Sequence, residues 1–153
     1  MQIVAFESAE WEAISSFAVS AIDKEWTSDF DSLDDAERIA FCVWVADGEV
    51  SNGGMHAVCY NSTGDYLPHI PDAFRAIGAN RKAKLFEELS LVFGRAGPSV
   101  DHQHRIKQHE SLSETSMAKI DALDDQYFAT SEEVADLLFF YLKRLGKVSV
   151  REM

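Results

Sequence analysis

Three of the chain's five histidines fall in one run, "DHQHRIKQHE", where His102, His104 and His109 stand beside Asp101 and Glu110. Imidazoles and carboxylates at that density are the raw material of a metal site. On a helix, however, ligands must recur three or four residues apart. His102 and His104 project roughly 200° apart on a helix, and His104 to His109 is the wrong interval, so the run reads as a solvated polar helix and no metal is assigned. His56, in "SNGGMH", offers an imidazole for general-base chemistry with Asn52 close by. No Ser, Cys or carboxylate stands at a spacing that would pair with it, and a histidine bonded to neighbouring backbone is the simpler reading. Asp47 and Glu49 make a carboxylate pair, but residues two apart on a helix do not face each other, and both are read as exposed residues near a helix end. "SNGGMH" lacks the Lys-Ser/Thr of a phosphate-binding loop, and "GDYLPHI" lacks the periodic glycines of a dinucleotide site. The expectation is a protein that is not an enzyme and takes no cofactor.

Charge carries more information. Against 14 basic residues stand 26 acidic ones, a net charge of −12 on 153 residues. That exceeds the magnitude of about 2–8 that solubility asks of a small domain. Such a surface repels nucleic acid and anionic membranes and attracts basic proteins. The imbalance is uneven: residues 1–49 carry −10, residues 50–109 carry +2 and residues 110–153 carry −4. The densest stretch is "DFDSLDDAE", where Asp29, Asp31, Asp34, Asp35 and Glu37 put five carboxylates in nine residues. A second cluster holds Asp121, Asp124 and Asp125, followed by Glu132, Glu133 and Asp136. The plain reading is a solvated face with helix-start carboxylates favoured by the macrodipole. The functional reading is a face built for a basic partner. Asp29, Asp31, Asp34 and Asp35 should then be exposed and unpaired by Lys or Arg.

The elements that position these residues follow from periodicity. Ser8 caps a helix with Trp11, Ile14 and Phe17 or Ala18 on its apolar side, ending before a connector at "KEWTSDFDS". Ser32 is the expected cap of a second helix, apolar on all sides over Ile39–Ala46 and therefore the buried centre of the fold. "FCVWV" and "MHAVCY" flanking Asn52-Gly53 also carry a hairpin signal, but neither flank alternates, and helix is preferred. Asn52, Gly53 and Gly54 then form a joint, with Asn52 bonding local backbone, and "MHAVCYN" is a short helix with Met55, Val58 and Cys59 inward. A second joint at Asn61, Gly64 and Asp65 aims the chain at Pro68, which begins a helix through "HIPDAFRAIGA". Asn80 caps the next helix, "GRAGPSVD" is loop, and the polar histidine run and "SETSMAKIDALDDQYF" are helical. Thr130 to Glu133 reads as the capping box of a last helix. Residues 1–153 thus read as one all-α domain of six to eight helices, with 147–153 a frayed tail. Cys42 and Cys59 sit in apolar segments as core residues. The first residues lack the basic and apolar regions of a signal peptide, and a cytoplasmic address is expected.

"VADGEVSNGGMHAVCYNSTGDYLPHIPDAFRAIGA", with "DDAERIAFCVWV" before it and "IDALDDQYFA" and "EEVADLLFFYLK" after it, resembles the DNA-mimic protein family over about residues 30–145. The most specific part is the pair of turns at Asn52-Gly53-Gly54 and Asn61 to Asp65. The resemblance implies an all-α fold. It also implies, as for the family's named member, a homodimer whose acidic surface imitates DNA phosphates and covers the DNA-binding face of a transcription factor. Carboxylates on neighbouring helical turns lie ~5–6 Å apart, a regular negative array of the kind DNA-binding proteins neutralise. Two partners follow: a basic DNA-binding protein, or a basic toxin blocked by an immunity-type protein. A weaker third reading is an enzyme built on His56 and Asn52.

Overall fold

The computed structural model describes residues 8–149, and these form a single all-helical domain. Among them are seven α-helices: α1 (Ala9–Thr27), α2 (Asp35–Tyr60), α3 (Ile70–Ala76), α4 (Asn80–Val92), α5 (His102–Glu110), α6 (Glu114–Ala129) and α7 (Val134–Arg144). Short 3-10 turns at Phe30–Ser32 and Ser62–Tyr66 lie on either side of α2. Of the expected frayed tail, residues 150–153 lie outside the described residues.

The all-round apolar stretch makes α2 the axis of the fold. It packs against α1, α3, α5, α6 and α7, and Ala40, Val43 and Ala46 are wholly buried. Cys42 and Cys59 are free thiols in this core, and burial pushes both up to about 12, so they stay protonated and inert.

Several helix starts differ from the sequence reading. Ser8 does cap α1, accepting from Trp11 N. The helix does not stop before "KEWT" but runs through it: no glycine or proline breaks it, and Lys24 in the last turn suits the negative helix end. Asp34, not Ser32, caps α2, in a reciprocal box in which Asp34 accepts from Glu37 N and Glu37 accepts from Asp34 N. Ser32 instead donates its amide and hydroxyl to Asp29 Oδ1 at 2.8 and 2.6 Å.

The expected N-terminal caps of α4 and α7 are absent, and at α4 a long-range contact takes the cap's place. Neither Asn80 nor Thr130 is the N-cap of a helix: Asn80 is the first residue of α4, and Thr130 closes the C-terminal end of α6. Glu132 crosses over and accepts from Arg81 N at 2.9 Å and Lys82 N at 2.8 Å, giving the free amides at the start of α4 a carboxylate from the α6–α7 connection. Pro68 lies in the turn before α3, and Pro71 occupies its first turn.

Candidate partner-binding site

The acidic corner is built where α1 turns into α2. Asp29 and Asp31 bracket the turn at Phe30–Ser32, and Asp34 and Asp35 open α2. All four are exposed. Arg38, one turn into α2, is the nearest base in sequence, yet its guanidinium donates to main-chain carbonyls: Nη2 to Asp31 O at 2.7 Å and Nε to Phe30 O at 3.3 Å. The corner is thereby braced by a base that leaves the carboxylates uncovered. No Lys or Arg nitrogen among the described residues lies within 4.0 Å of Asp29, Asp31 or Asp35, while Asp34 has Lys147 Nζ at 3.9 Å. Ser32's hydroxyl and amide hold the Asp29 carboxyl below its usual range, so its charge persists into mild acid.

The remaining acids of the two clusters have different fates. Glu37 is half-buried and pairs with Lys24 Nζ at 2.9 Å, tying the end of α1 to the start of α2. Asp121 is exposed but meets His56 Nε2 at 2.8 Å. Asp124 is half-buried and accepts from Met55 N at 2.6 Å. Asp125 is exposed, and no hydrogen bond or ion pair of its side chain occurs among the described residues. Of the two clusters, the side chains of Asp29, Asp31, Asp35, Asp125, Glu133 and Asp136 therefore have no Lys, Arg or His partner and no bond to another helix among the described residues, Asp29 being held only by Ser32 of its own turn. Spacing in the sequence could not separate them from Glu37 and Asp124, whose partners lie on other helices.

The two turns are structural joints, as read, with one exception. At the first, helical geometry breaks only at Gly54, with φ 74° and ψ −172°. Asn52 is exposed and makes no side-chain bond among the described residues; Asp124, from α6, satisfies the Met55 amide instead. Beyond the break Met55, Val58 and Cys59 are fully buried, as expected. At the second joint Asn61 ends α2 and donates its side-chain amide to Glu49, which also accepts from Thr63 Oγ1 at 3.4 Å. Glu49 thus spans the kinked half of α2 rather than standing free. Asp47 is likewise not free: it accepts from Tyr127 Oη at 2.5 Å.

The second joint turns on Arg105, which sequence reading placed in a solvated helix. Its side chain is completely buried. Nε donates to Cys59 O at 2.7 Å, Nη1 to Ser99 O at 2.9 Å, and Nη2 to Asn61 O and Asp65 Oδ1, both at 2.8 Å. A Cβ on Gly64 would stand 2.4 Å from Arg105 Nε and 2.6 Å from Val58 O, so only glycine lets the turn close over the guanidinium.

The histidines of the polar run divide. His104 is exposed, and His102 Nε2 meets Tyr60 O at 2.7 Å. His109 Nε2 lies 2.8 Å from His56 Nδ1, whose other nitrogen faces Asp121. No group of three or more His, Cys, Asp or Glu among the described residues is arranged to hold a metal. Burial first, and His56 second, lower the His109 pKa from its usual 6.5, with Glu110 opposing. The folded chain then binds fewer protons than the unfolded chain, so stability is full above about pH 6.5 and falls as pH drops through the lowered value. Denaturant titrations at pH 7.5 and 5.5 should show a lower midpoint in acid, and His109→Gln should flatten that difference. An unchanged slope in the variant would assign the pH response elsewhere.

The described residues thus form a compact all-helical domain with an exposed acidic corner and a kinked central helix clamped by α5 and α6. The chain belongs to the family described as DMP19-like protein, which matches residues 31–145. No curated protein matches it, and no solved structure does. No helix of the described residues is long and apolar enough to cross a membrane.

Proposed function

We propose that this chain is a non-catalytic binding protein whose free carboxylates occupy the DNA-contacting face of a basic protein, in the manner of a DNA mimic. The observation that carries the reading is the corner at Asp29, Asp31 and Asp35, where the local arginine bonds main-chain carbonyls and no Lys or Arg nitrogen among the described residues lies within 4.0 Å of the three carboxylates. Basic residues on the partner would replace the counter-charge the chain itself withholds, without direct contact between this protein and nucleic acid.

The test is partner capture from native lysate followed by competition. Binding should weaken at least about tenfold between 50 and 200 mM salt, as expected where exposed charges dominate, and duplex DNA should displace the chain. The combined substitution Asp29→Asn, Asp31→Asn, Asp35→Asn should cost a further tenfold or more in affinity at low salt, with the melting temperature lowered only slightly, because asparagine keeps an acceptor for Ser32 at position 29 and none of the three pairs with a Lys or Arg. Capture indifferent to both salt and DNA would overturn the reading. A nuclease toxin as the captured partner would instead assign the same face to an immunity role.

A further inference from the structure

α4 and α6 pack against each other in opposite directions, and a groove runs between them. At one end it holds about 350 Å³, beside Arg81, Lys84 and Leu85 of α4 and Ala129 of α6. At the other it holds about 280 Å³, beside Val92 of α4 and Lys119, Ala122 and Leu123 of α6. Glu88 and Gln126 line both parts, so the two are continuous. From Arg81 to Val92 the groove follows about 16 Å of helix, roughly three turns. Leu85 and Leu123 are buried in its floor, while Arg81, Lys84, Lys119, Ala122 and Ala129 are exposed along it.

The charge of the groove is the reverse of the chain's. On a chain of net charge −12, the Lys and Arg side chains with no ion pair, hydrogen bond or ring contact among the described residues are Arg81, Lys84, Arg95, Lys107, Lys119 and Arg144. Half of them border this groove, Arg81 and Lys84 at one end and Lys119 at the other. The Glu132 carboxylate, close to Arg81, is taken up by the main-chain amides of Arg81 and Lys82 at 2.9 and 2.8 Å, and no ion pair joins it to the Arg81 guanidinium. Glu88 is the one acid in the lining, midway between the cations.

We propose that this groove docks an acidic amphipathic helix of a partner protein. Its walls are helices, whose backbone groups are already bonded, so an extended peptide would find no ladder there. A helix satisfies its own backbone and lays one apolar ridge between α4 and α6, over Leu85 and Leu123. Asp or Glu in its first and last turns then meets Arg81 and Lys84 at one end and Lys119 at the other. Nucleic acid is a poorer fit: Glu88 interrupts the cations, the floor offers phosphates no partner, and the net charge repels a polyanion. None of the acidic-corner residues takes part, so the groove stands or falls apart from the function proposed above.

The probe is a capped synthetic peptide of about 14 residues, with leucines at i, i+3, i+4 and i+7 and glutamates in its first and last turns. In NMR titrations of the whole chain, the amide signals of Leu85, Ala122, Gln126 and Ala129 should shift saturably, with Kd on the order of 0.1–1 mM. A twin peptide with glutamines for the glutamates should bind about tenfold more weakly or worse. Lys84→Glu combined with Lys119→Glu should cost about tenfold or more, whereas Lys107→Glu combined with Arg144→Glu, an equal change of net charge away from the groove, should cost less than about threefold. Ala122→Gln, a good helix former that fills the groove, should abolish the shifts and leave the melting temperature nearly unchanged. No saturable shift with the glutamate peptide, equal binding of its twin, or equal losses in the two charge-reversed variants would overturn the proposal. A single-stranded oligonucleotide that bound the groove more tightly than the peptide would overturn the choice of a helix. Self-association in sedimentation that disappeared in Lys84→Glu with Lys119→Glu would overturn it in favour of a second copy of this chain.

Discussion

Arg105→Ala is expected to destabilise the protein by about 4 kcal/mol or more, a large share of the ~5–15 kcal/mol that holds a domain folded. The side chain is fully buried and donates to three carbonyls and one carboxylate. Hydrogen bonds to a charged group contribute about 1.5–3 kcal/mol each, and they are not additive here because they share one guanidinium. Truncation would leave the carbonyls of Cys59, Ser99 and Asn61 facing a cavity, and Asp65, with 37% of its side chain exposed, would turn to water. Arg105→Met separates packing from bonding: it fills the stem's volume, donates nothing, and should recover only the cavity share of the loss. Arg105→Lys should also cost about 2 kcal/mol or more, since an ammonium cannot reach four acceptors set out for a planar fork. Chemical denaturation measures all three. A loss below 1 kcal/mol for Arg105→Ala would mean that the turn holds itself without the clamp.

This clamp marks the limit of what the chain reveals before folding. Patterns that recur within one helix were legible: the all-apolar run of α2, the inward Met55, Val58 and Cys59, and the helix inside the histidine run. The two turns were legible as joints because glycine and asparagine carry local conformational meaning. What could not be read was every bond between distant elements. Arg105 sits in a polar helix and looks solvated, because two of the three carbonyls it serves, those of Cys59 and Asn61, lie far earlier in the chain and main-chain carbonyls have no side-chain signature. Glu132 looked like part of a capping box for α7 and instead caps α4. Asp124 and Asp125 are neighbours of one type, and only the place where α6 meets α2 gives one a structural bond and leaves the other free. Carboxylate density therefore locates a candidate face, and tertiary structure sorts which carboxylates remain for it.

Gly54→Ala puts that sorting to a quantitative test, with an expected loss of about 3 kcal/mol or more. The φ of 74° with ψ of −172° is a conformation held almost only by glycine, costing other residues about 1–3 kcal/mol. A Cβ there would also stand 2.6 Å from Asp124 Oδ2, displacing the carboxylate that accepts from Met55 N at 2.6 Å. Asp124→Ala alone removes the acceptor, leaves the amide at the start of the buried half-helix unmet, and should cost about 2 kcal/mol. In the double variant the clash disappears but the backbone strain stays, so its loss should fall short of the summed single losses by about 1 kcal/mol. Strict additivity would mean that Asp124 does not close the joint. The same cycle bears on function: Asp124→Ala should lower stability with little effect on partner affinity per folded molecule, whereas Asp125→Asn, one residue on, should leave stability alone. If Asp124→Ala weakened binding in a fully folded sample, the carboxylate would belong to the partner face as well as to the joint, and the free set would have to include it.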